Sequence, residues 1–154
     1  MPKQVDILLI TLSSPIQIGV YEDKKLIDLI ESEEKSSDVL PKIFEDLLNK
    51  YDVKKMFYVN GPGSFMAIKV AYIFLQSISV LKKIPLFATD AFKFNENRPI
   101  KAIGKLCFVK ISSEIKTQKL ETVPENKFTL PDVLDYNEFS KNTTPLYMIG
   151  AVGS

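Results

Sequence analysis

The stretch NGPGSFMAIK, residues 60–69, contains residue types that bind phosphate groups in many proteins. Gly61 and Gly63 allow a backbone to approach a ligand closely, and Ser64 can cap the first turn of a helix. A helix N-terminus presents N–H groups and the positive end of a dipole, which attract anions. We therefore expect either a weak phosphate contact at Gly61, Gly63 and Ser64 or a tight strand-to-helix turn without a ligand.

The loop does not match the phosphate-binding motifs whose chemistry is well defined. A Walker A motif needs glycine directly before its lysine and serine or threonine after it, but Lys69 stands between Ile68 and Val70. A dinucleotide-binding fingerprint needs a third glycine, and Met66 occupies that position. The sequence therefore does not predict either of these nucleotide sites.

Other residue types that perform catalysis are missing or scattered. The chain has no histidine, which excludes histidine metal ligands and Ser–His or Cys–His nucleophiles. Asp6, Asp23, Asp28 and Asp90 do not form a motif for paired acids or for metal binding. We expect no catalytic residue and no metal site. The one cysteine, Cys107, has apolar neighbours and is expected to be a small buried side chain.

Composition and charge restrict the class of protein. The chain has 154 residues, 45% of them hydrophobic and 25% charged, which is typical of a soluble globular domain. Its formal net charge of +1 gives little attraction to a nucleic-acid backbone or an anionic membrane. The lone cysteine and the absence of a signal-peptide pattern predict a cytoplasmic protein. The apolar segment 65–81 contains Lys69 and Gln76 and is predicted to be a core or interface helix rather than a membrane span.

Hydrophobic periodicity places these residues on alternating strands and helices. In chain order, the pattern predicts strands at 5–10, 16–21 and 26–30, a helix from 36 to about 50 capped at 36–38, a strand at 55–60, a helix at 65–81 and a strand at 84–89. Later signals are weaker, and they predict a short helix at 90–95, a hairpin within 103–123 that turns at 112–114, a polar surface segment at 124–145 and a final strand at 145–152.

This order of elements predicts an α/β fold. Strand, helix, strand, helix, strand implies parallel pairing with right-handed crossovers, and the opening meander adds antiparallel strands to the same sheet. We expect a mixed sheet flanked by helices, as in actin-like and ribonuclease H-like domains. The predicted division is an N-terminal domain at 1–95 and a reduced C-terminal region at 96–154.

The second helix is too apolar for a helix that faces water. Between residues 65 and 81 only Lys69, Gln76, Ser77 and Ser79 are polar, and a helix that is apolar nearly all round is normally covered. The helix is therefore expected to be buried within the domain, or to be covered by the chain's own tail or by a partner protein.

Two segments resemble the TsaB (YeaZ) family. The run from residue 60 to 92, beginning NGPGSF and containing IPLFATDAF, is similar to the GPGSF…GIPL segment of those proteins, and residues 7–28 are similar to their opening strand and hairpin. The spacing between the two segments also matches, and TPLYMIG at 144–150 is similar to the strand that closes the family. Thr11 stands where the family carries an aspartate.

The resemblance implies an actin-like, ribonuclease H-like fold and a role in making threonylcarbamoyladenosine next to the anticodon of tRNAs that read codons starting with A. It implies a non-catalytic subunit that forms a heterodimer with TsaD, the threonylcarbamoyltransferase, and works with TsaE. ATP or ADP and the metal would then bind the partner subunits, and tRNA would be reached through the complex.

We expect the partner interface to use both helices. The predicted interface residues are Leu40, Phe44, Phe65, Met66, Lys69, Val70 and Ile73. Two other hypotheses remain open, a homodimer formed through the same helices and an enzyme of the actin-like ATPase or peptidase-like hydrolase type.

Overall fold

The computed structural model describes residues 1–125 and 127–146. These residues form eight strands, two α-helices and two short 3-10 helices. The strands and α-helices are β1 (Gln4–Ile10), β2 (Ile16–Glu22), β3 (Lys25–Ser32), α1 (Ser36–Lys50), β4 (Asp52–Val59), α2 (Phe65–Lys82), β5 (Leu86–Thr89), β6 (Ile100–Ile103), β7 (Leu106–Ile111) and β8 (Glu114–Lys119). The 3-10 helices are Ala91–Phe94 and Tyr136–Glu138.

Within the described residues, the larger sheet has the order β3-β2-β1-β4-β5 and the smaller one the order β6-β7-β8. β1 pairs antiparallel with β2 and β2 antiparallel with β3, whereas β4 is parallel to both β1 and β5. The meander and the two parallel crossovers predicted from the sequence are therefore confirmed. The parallel strands β1, β4 and β5 end at the same edge of the sheet.

Each face of the larger sheet carries its own core cluster. Side chains alternate between the two faces of a strand, so Ile7 and Leu9 enter one cluster while Leu8 and Ile10 enter the other. α1 and α2 both cover the first face. The helices therefore lie on one side of this sheet, and the second face is covered by the smaller sheet and by the chain after it.

The segment at 124–145 differs from its prediction as a polar surface segment. Three of its apolar residues, Phe128, Leu130 and Leu134, are buried on the second face of the larger sheet, whereas Val133 is 60% exposed. Its backbone forms hydrogen bonds at two opposite edges of that sheet. The Leu134 N–H donates to the Lys24 carbonyl beside β3, and Ser140 exchanges two backbone hydrogen bonds with Ala88 of β5. This segment thus acts as a cover for the sheet.

One local prediction is corrected, one strand was missed, and one hairpin is confirmed. α1 begins at Ser36, but Lys35 holds the N-cap position and no side chain caps the helix. The strand β6 was not predicted, and it adds a third strand to the hairpin of β7 and β8. That hairpin is confirmed, and it turns through Ser112 and Ser113 at positive φ.

The C-terminal region shares the second core cluster with the opening strands. Ile100 and Phe108 from the smaller sheet pack with Leu8 and Phe57 from the larger one. The domain division at residue 95 stays a prediction. The predicted final strand at 145–152 lies mostly outside the described residues.

Candidate functional site

The carboxyl edge of the parallel strands carries the loop singled out by its sequence. β1 is followed by Thr11, β4 by Asn60 and the loop 61–64, and β5 by Asp90. This is the edge at which open α/β sheets bind their ligands. A ligand site on this sheet would therefore be formed by the residues that follow these strands.

Packing against the protein itself fills the space beside both glycines of the loop. Gly61 has φ of 115°, and a Cβ placed there would lie 2.9 Å from Ile68 and 3.0 Å from the carbonyl oxygen of Leu146. A Cβ on Gly63 would lie 3.1 Å from Leu12. The loop is thus a close-packed turn. Gly61 is needed because a side chain there would meet backbone at positive φ, whereas a side chain at Gly63 would require Leu12 to shift by a few tenths of an ångström.

The polar side chains at this edge form internal hydrogen bonds or ion pairs, although within the described chain the amide oxygen of buried Asn60 has no hydrogen-bond partner. The Thr11 hydroxyl donates to the Ala67 carbonyl at 3.3 Å, and the Asn60 amide donates to Thr144 at 3.0 Å. Asp90 lies 2.5 Å from the Lys110 ammonium, and its other oxygen accepts the Phe92 N–H at 2.9 Å. These bonds hold the loop, the smaller sheet and the C-terminal segment against the strand ends.

Ser64 and Lys69 have separate surroundings. Ser64 caps α2, because its hydroxyl oxygen accepts the Ala67 N–H at 3.5 Å. The Lys69 ammonium lies 5.9 Å from the centre of the Phe65 ring, on the exposed side of the helix. The phosphate contact considered for Gly61, Gly63 and Ser64 stays a prediction.

A different feature of α2 stands out, namely its outward-facing side. Of the eleven large apolar side chains that are exposed in the described chain, five lie on this helix. They include Met66, Ile73 and Val80, which are seven residues apart and 60%, 53% and 68% exposed. Residues at this spacing lie on one side of a helix. We call this the outer face of α2, formed by Met66, Lys69, Val70, Ile73, Ser77, Val80 and Leu81.

The opposite side of α2 holds the helix on the sheet. Ile68, Ala71 and Leu75 are buried in the core clusters. The remaining apolar residues therefore exceed what the sheet can cover. A shallow groove of about 440 Å³ runs along the outer face, between Tyr72 and Leu81.

The predicted interface residues fall into two groups. Phe65, Met66, Lys69 and Ile73 are exposed on α2, and Val70 is half-buried beside them. Leu40 and Phe44 of α1 are instead fully buried, at 0% and 1% exposure.

Burial of Leu40 and Phe44 corrects the prediction that they line a partner surface. The Phe44 ring packs edge-to-face on Phe74 of α2, with the ring centres 5.2 Å apart. Both side chains lie in the first core cluster, where they join α1 to the sheet and to α2. Sequence periodicity did not reveal this, because α1 has two apolar rows and only the tertiary structure shows that both are used internally.

A second polar cluster lies at the opposite end of β1, and it was not predicted from the sequence. The Tyr136 hydroxyl donates a hydrogen bond to the carboxylate of buried Asp6. Lys24 and Lys55 place their ammonium groups 4.7 and 5.1 Å from the centre of the Tyr136 ring. Burial raises the pKa of Asp6, and this effect outweighs the lowering by the Tyr136 hydrogen bond and the two lysines.

The Asp6 cluster attaches the covering segment to the sheet. The same segment is fixed nearby, because the buried Tyr21 hydroxyl donates to the Pro131 carbonyl at 2.8 Å. No sequence signal marks Tyr136, which lies among polar residues far from β1 in the chain. Among residues 1–125 and 127–146, no three His, Cys, Asp or Glu side chains lie together as metal ligands would.

α2 also meets the length and composition of a membrane span, with 18 residues and a mean hydropathy of 1.5. Core helices of soluble proteins meet the same test, so this property is weak evidence for a membrane. The cytoplasmic location stays a prediction.

The arrangement defines the class of the fold. A five-stranded sheet in the order β3-β2-β1-β4-β5, with an opening antiparallel meander and parallel strands crossed by helices, is that of the actin-like, ribonuclease H-like class. The fold expected from the sequence is thereby confirmed. No family model matches the sequence, and no curated protein matches it.

Solved structures share this fold more specifically. YeaZ from Pseudomonas aeruginosa is similar over 83% of this chain and 71% of its own, with a TM-score of 0.53 and 15% sequence identity. A second structure, of an uncharacterized protein with similarity to peptidase YEAZ from Pseudomonas aeruginosa, matches 83% of this chain and 70% of its own at the same TM-score and identity. The resemblance to TsaB (YeaZ) proteins is thus confirmed as a YeaZ-like fold.

Proposed function

We propose that this protein is a non-catalytic scaffold subunit that binds a TsaD-type threonylcarbamoyltransferase through the outer face of α2. In this role it supports the formation of threonylcarbamoyladenosine in tRNA. TsaE, ATP or ADP, and the metal belong to the partner side of the complex, and tRNA is contacted through it. The YeaZ-like fold and the sequence resemblance support the choice of partner.

The observation that carries the proposal is the exposed apolar surface of α2. Ile73, Val80 and Leu81 are 53%, 68% and 79% exposed, although they lie on the helix with the most apolar sequence in the chain. Contiguous apolar surface on a soluble domain marks interaction sites. An 18-residue helix is about 27 Å long, enough to pack along a partner helix over several turns.

The carboxyl edge of the sheet supports a non-catalytic role. An actin-like ATPase or a hydrolase needs a carboxylate placed to bind a metal or to activate water. Thr11 follows β1, and Asp90 after β5 is paired with Lys110. These side chains are already used to hold the structure together.

The test is co-expression with the TsaD paralogue of the same organism, followed by size-exclusion chromatography with light scattering. We expect a one-to-one complex with the wild type and its loss with Ile73→Asp, because a charge buried in an apolar interface lacks a partner. Ile111→Asp is the matched control, since Ile111 is 57% exposed but lies on the smaller sheet.

The possible outcomes separate the hypotheses. A complex that survives Ile73→Asp, or is lost equally with Ile111→Asp while circular dichroism shows folded protein, would place the interface elsewhere. The wild type alone, measured over a range of concentrations, tests the homodimer. If it dimerises through Ile73 and never binds TsaD, the heterodimer proposal is wrong and the self-association hypothesis replaces it.

A further inference from the structure

A basic groove lies on the side of the larger sheet opposite to α2. It has a volume of about 530 Å³ and lies between the turn at 93–98 and the covering segment at 127–131. The two walls are joined by a hydrogen bond from Thr129 N–H to the Phe94 carbonyl at 2.9 Å. Its size falls within the range of about 300–1,000 Å³ that is usual for small-molecule sites.

Three cationic side chains line this groove, and one carboxylate accompanies them. Lys93, Arg98 and Lys127 supply the positive charge, and Glu96 supplies the negative charge. The Arg98–Glu96 pair, at 3.3 Å, and the Lys93–Glu138 pair, at 3.9 Å, are both exposed, and such pairs contribute little. Lys127 has no ion-pair partner among the residues that the structure describes. The groove therefore favours an anion.

The apolar floor adds a further requirement for a ligand. Buried Phe94 and Leu130, with half-buried Pro131, form an apolar floor. Asn95 in the wall is 7% exposed, and within the described chain its amide oxygen has no hydrogen-bond partner. That oxygen is closed off from the groove, so the requirement for a ligand comes from the floor, which favours a flat apolar group beside the charge.

We propose that the groove binds a mononucleotide, with its phosphate at Arg98 and Lys127 and its base over the apolar floor. Arginine suits phosphate because its planar group donates two parallel hydrogen bonds. A groove of this size and an overall net charge of +1 fit a small ligand better than a long nucleic-acid strand, which requires an extended basic track.

This site is independent of the proposed partner surface, so the two proposals can fail separately. The test is an amide NMR titration of the full chain with AMP, inorganic phosphate and adenosine. We expect saturable shifts with AMP at residues 93–98 and 127–131, with phosphate or adenosine alone binding at least about tenfold more weakly because each lacks half of the contacts.

Charge-removing variants test the assignment of the phosphate position. Arg98→Gln and Lys127→Gln should each weaken AMP binding by about tenfold, the usual effect of losing one charge-assisted hydrogen bond. Lys105→Gln, at an exposed lysine outside the groove, should change it by less than about twofold. All three side chains are exposed, so these variants should remain folded.

Several results would overturn the proposal. Absence of saturation at millimolar AMP would do so, as would shifts centred on the loop 61–64, which would assign the nucleotide to that loop instead. Equal weakening by Lys105→Gln would indicate unspecific charge attraction. Tighter binding of a single-stranded oligonucleotide with a steep salt dependence would show a nucleic-acid surface rather than a mononucleotide site.

Discussion

Truncation of Phe44 tests whether this residue belongs to the core or to a partner surface. Phe44 is 1% exposed and packs edge-to-face on Phe74. Replacing it with alanine removes a buried ring and leaves a cavity between α1, α2 and the sheet. Ile73→Ala is the comparison, because Ile73 is 53% exposed on the outer face of α2 and leaves no internal cavity.

The expected magnitudes differ several-fold. Phe44→Ala should lower the free energy of unfolding by about 3–5 kcal/mol, from lost apolar transfer plus the cavity. In a chain of this size each kcal/mol lowers Tm by roughly 2–4 °C, so Tm should fall by about 6–20 °C. Ile73→Ala should cost less than about 1 kcal/mol, because much of its side chain already contacts water.

Urea unfolding followed by far-ultraviolet circular dichroism measures both variants. If Phe44→Ala were as stable as Ile73→Ala and yet lost TsaD binding, Phe44 would be an interface residue and its place in the core would be refuted. Loss of binding by Ile73→Ala at unchanged stability would instead support the outer face of α2 as the interface.

Two further predictions concern the loop after β4 and the Asp6 cluster. Gly61→Ala should destabilise the protein by about 2 kcal/mol or more, because the added methyl meets Ile68 and Leu146 at positive φ. Gly104→Ala also has positive φ but open space around it, and should cost only about 1 kcal/mol in urea unfolding. Equal losses of stability would show that φ alone sets the cost. Burial raises the folded-state pKa of Asp6, so its contribution to stability is fully present below the ordinary value of 3.8 and is lost as pH rises through the raised value. The unfolding free energy of wild type relative to Asp6→Asn should therefore fall with increasing pH, and a rise would contradict the assignment.

Much of the fold was predictable because its signals are local. β1 and β4 each end in a continuous apolar run, at 7–10 and 56–59, as expected for strands buried on both faces, and the hairpin of β7 and β8 alternates about its Ser112–Ser113 turn. α2 begins at its Ser64 cap, as its sequence indicates. β6 was missed because a four-residue strand has too few positions for a clear period.

The candidate site was less predictable. Phe65, Met66, Lys69 and Ile73 were predicted as interface residues and are exposed, but the helical period does not show which side of α2 meets the sheet, and the interface itself stays a prediction. The basic groove could not be predicted at all. Its walls come from residues about 30 positions apart in the chain, and neither wall has a motif of its own.

The sequence by itself determined the order of strands and helices from β1 to β5, the glycine turn after β4 and the absence of histidine chemistry, because these depend on neighbouring residues and on composition. The tertiary structure alone decided which apolar faces are used. It buries Leu40 and Phe44 of α1, leaves the outer face of α2 in water, and places Phe128, Leu130 and Leu134 of a polar segment over the second face of the sheet. The physical reason is that burial depends on what the rest of the chain can reach and cover, which a helical or strand period does not contain.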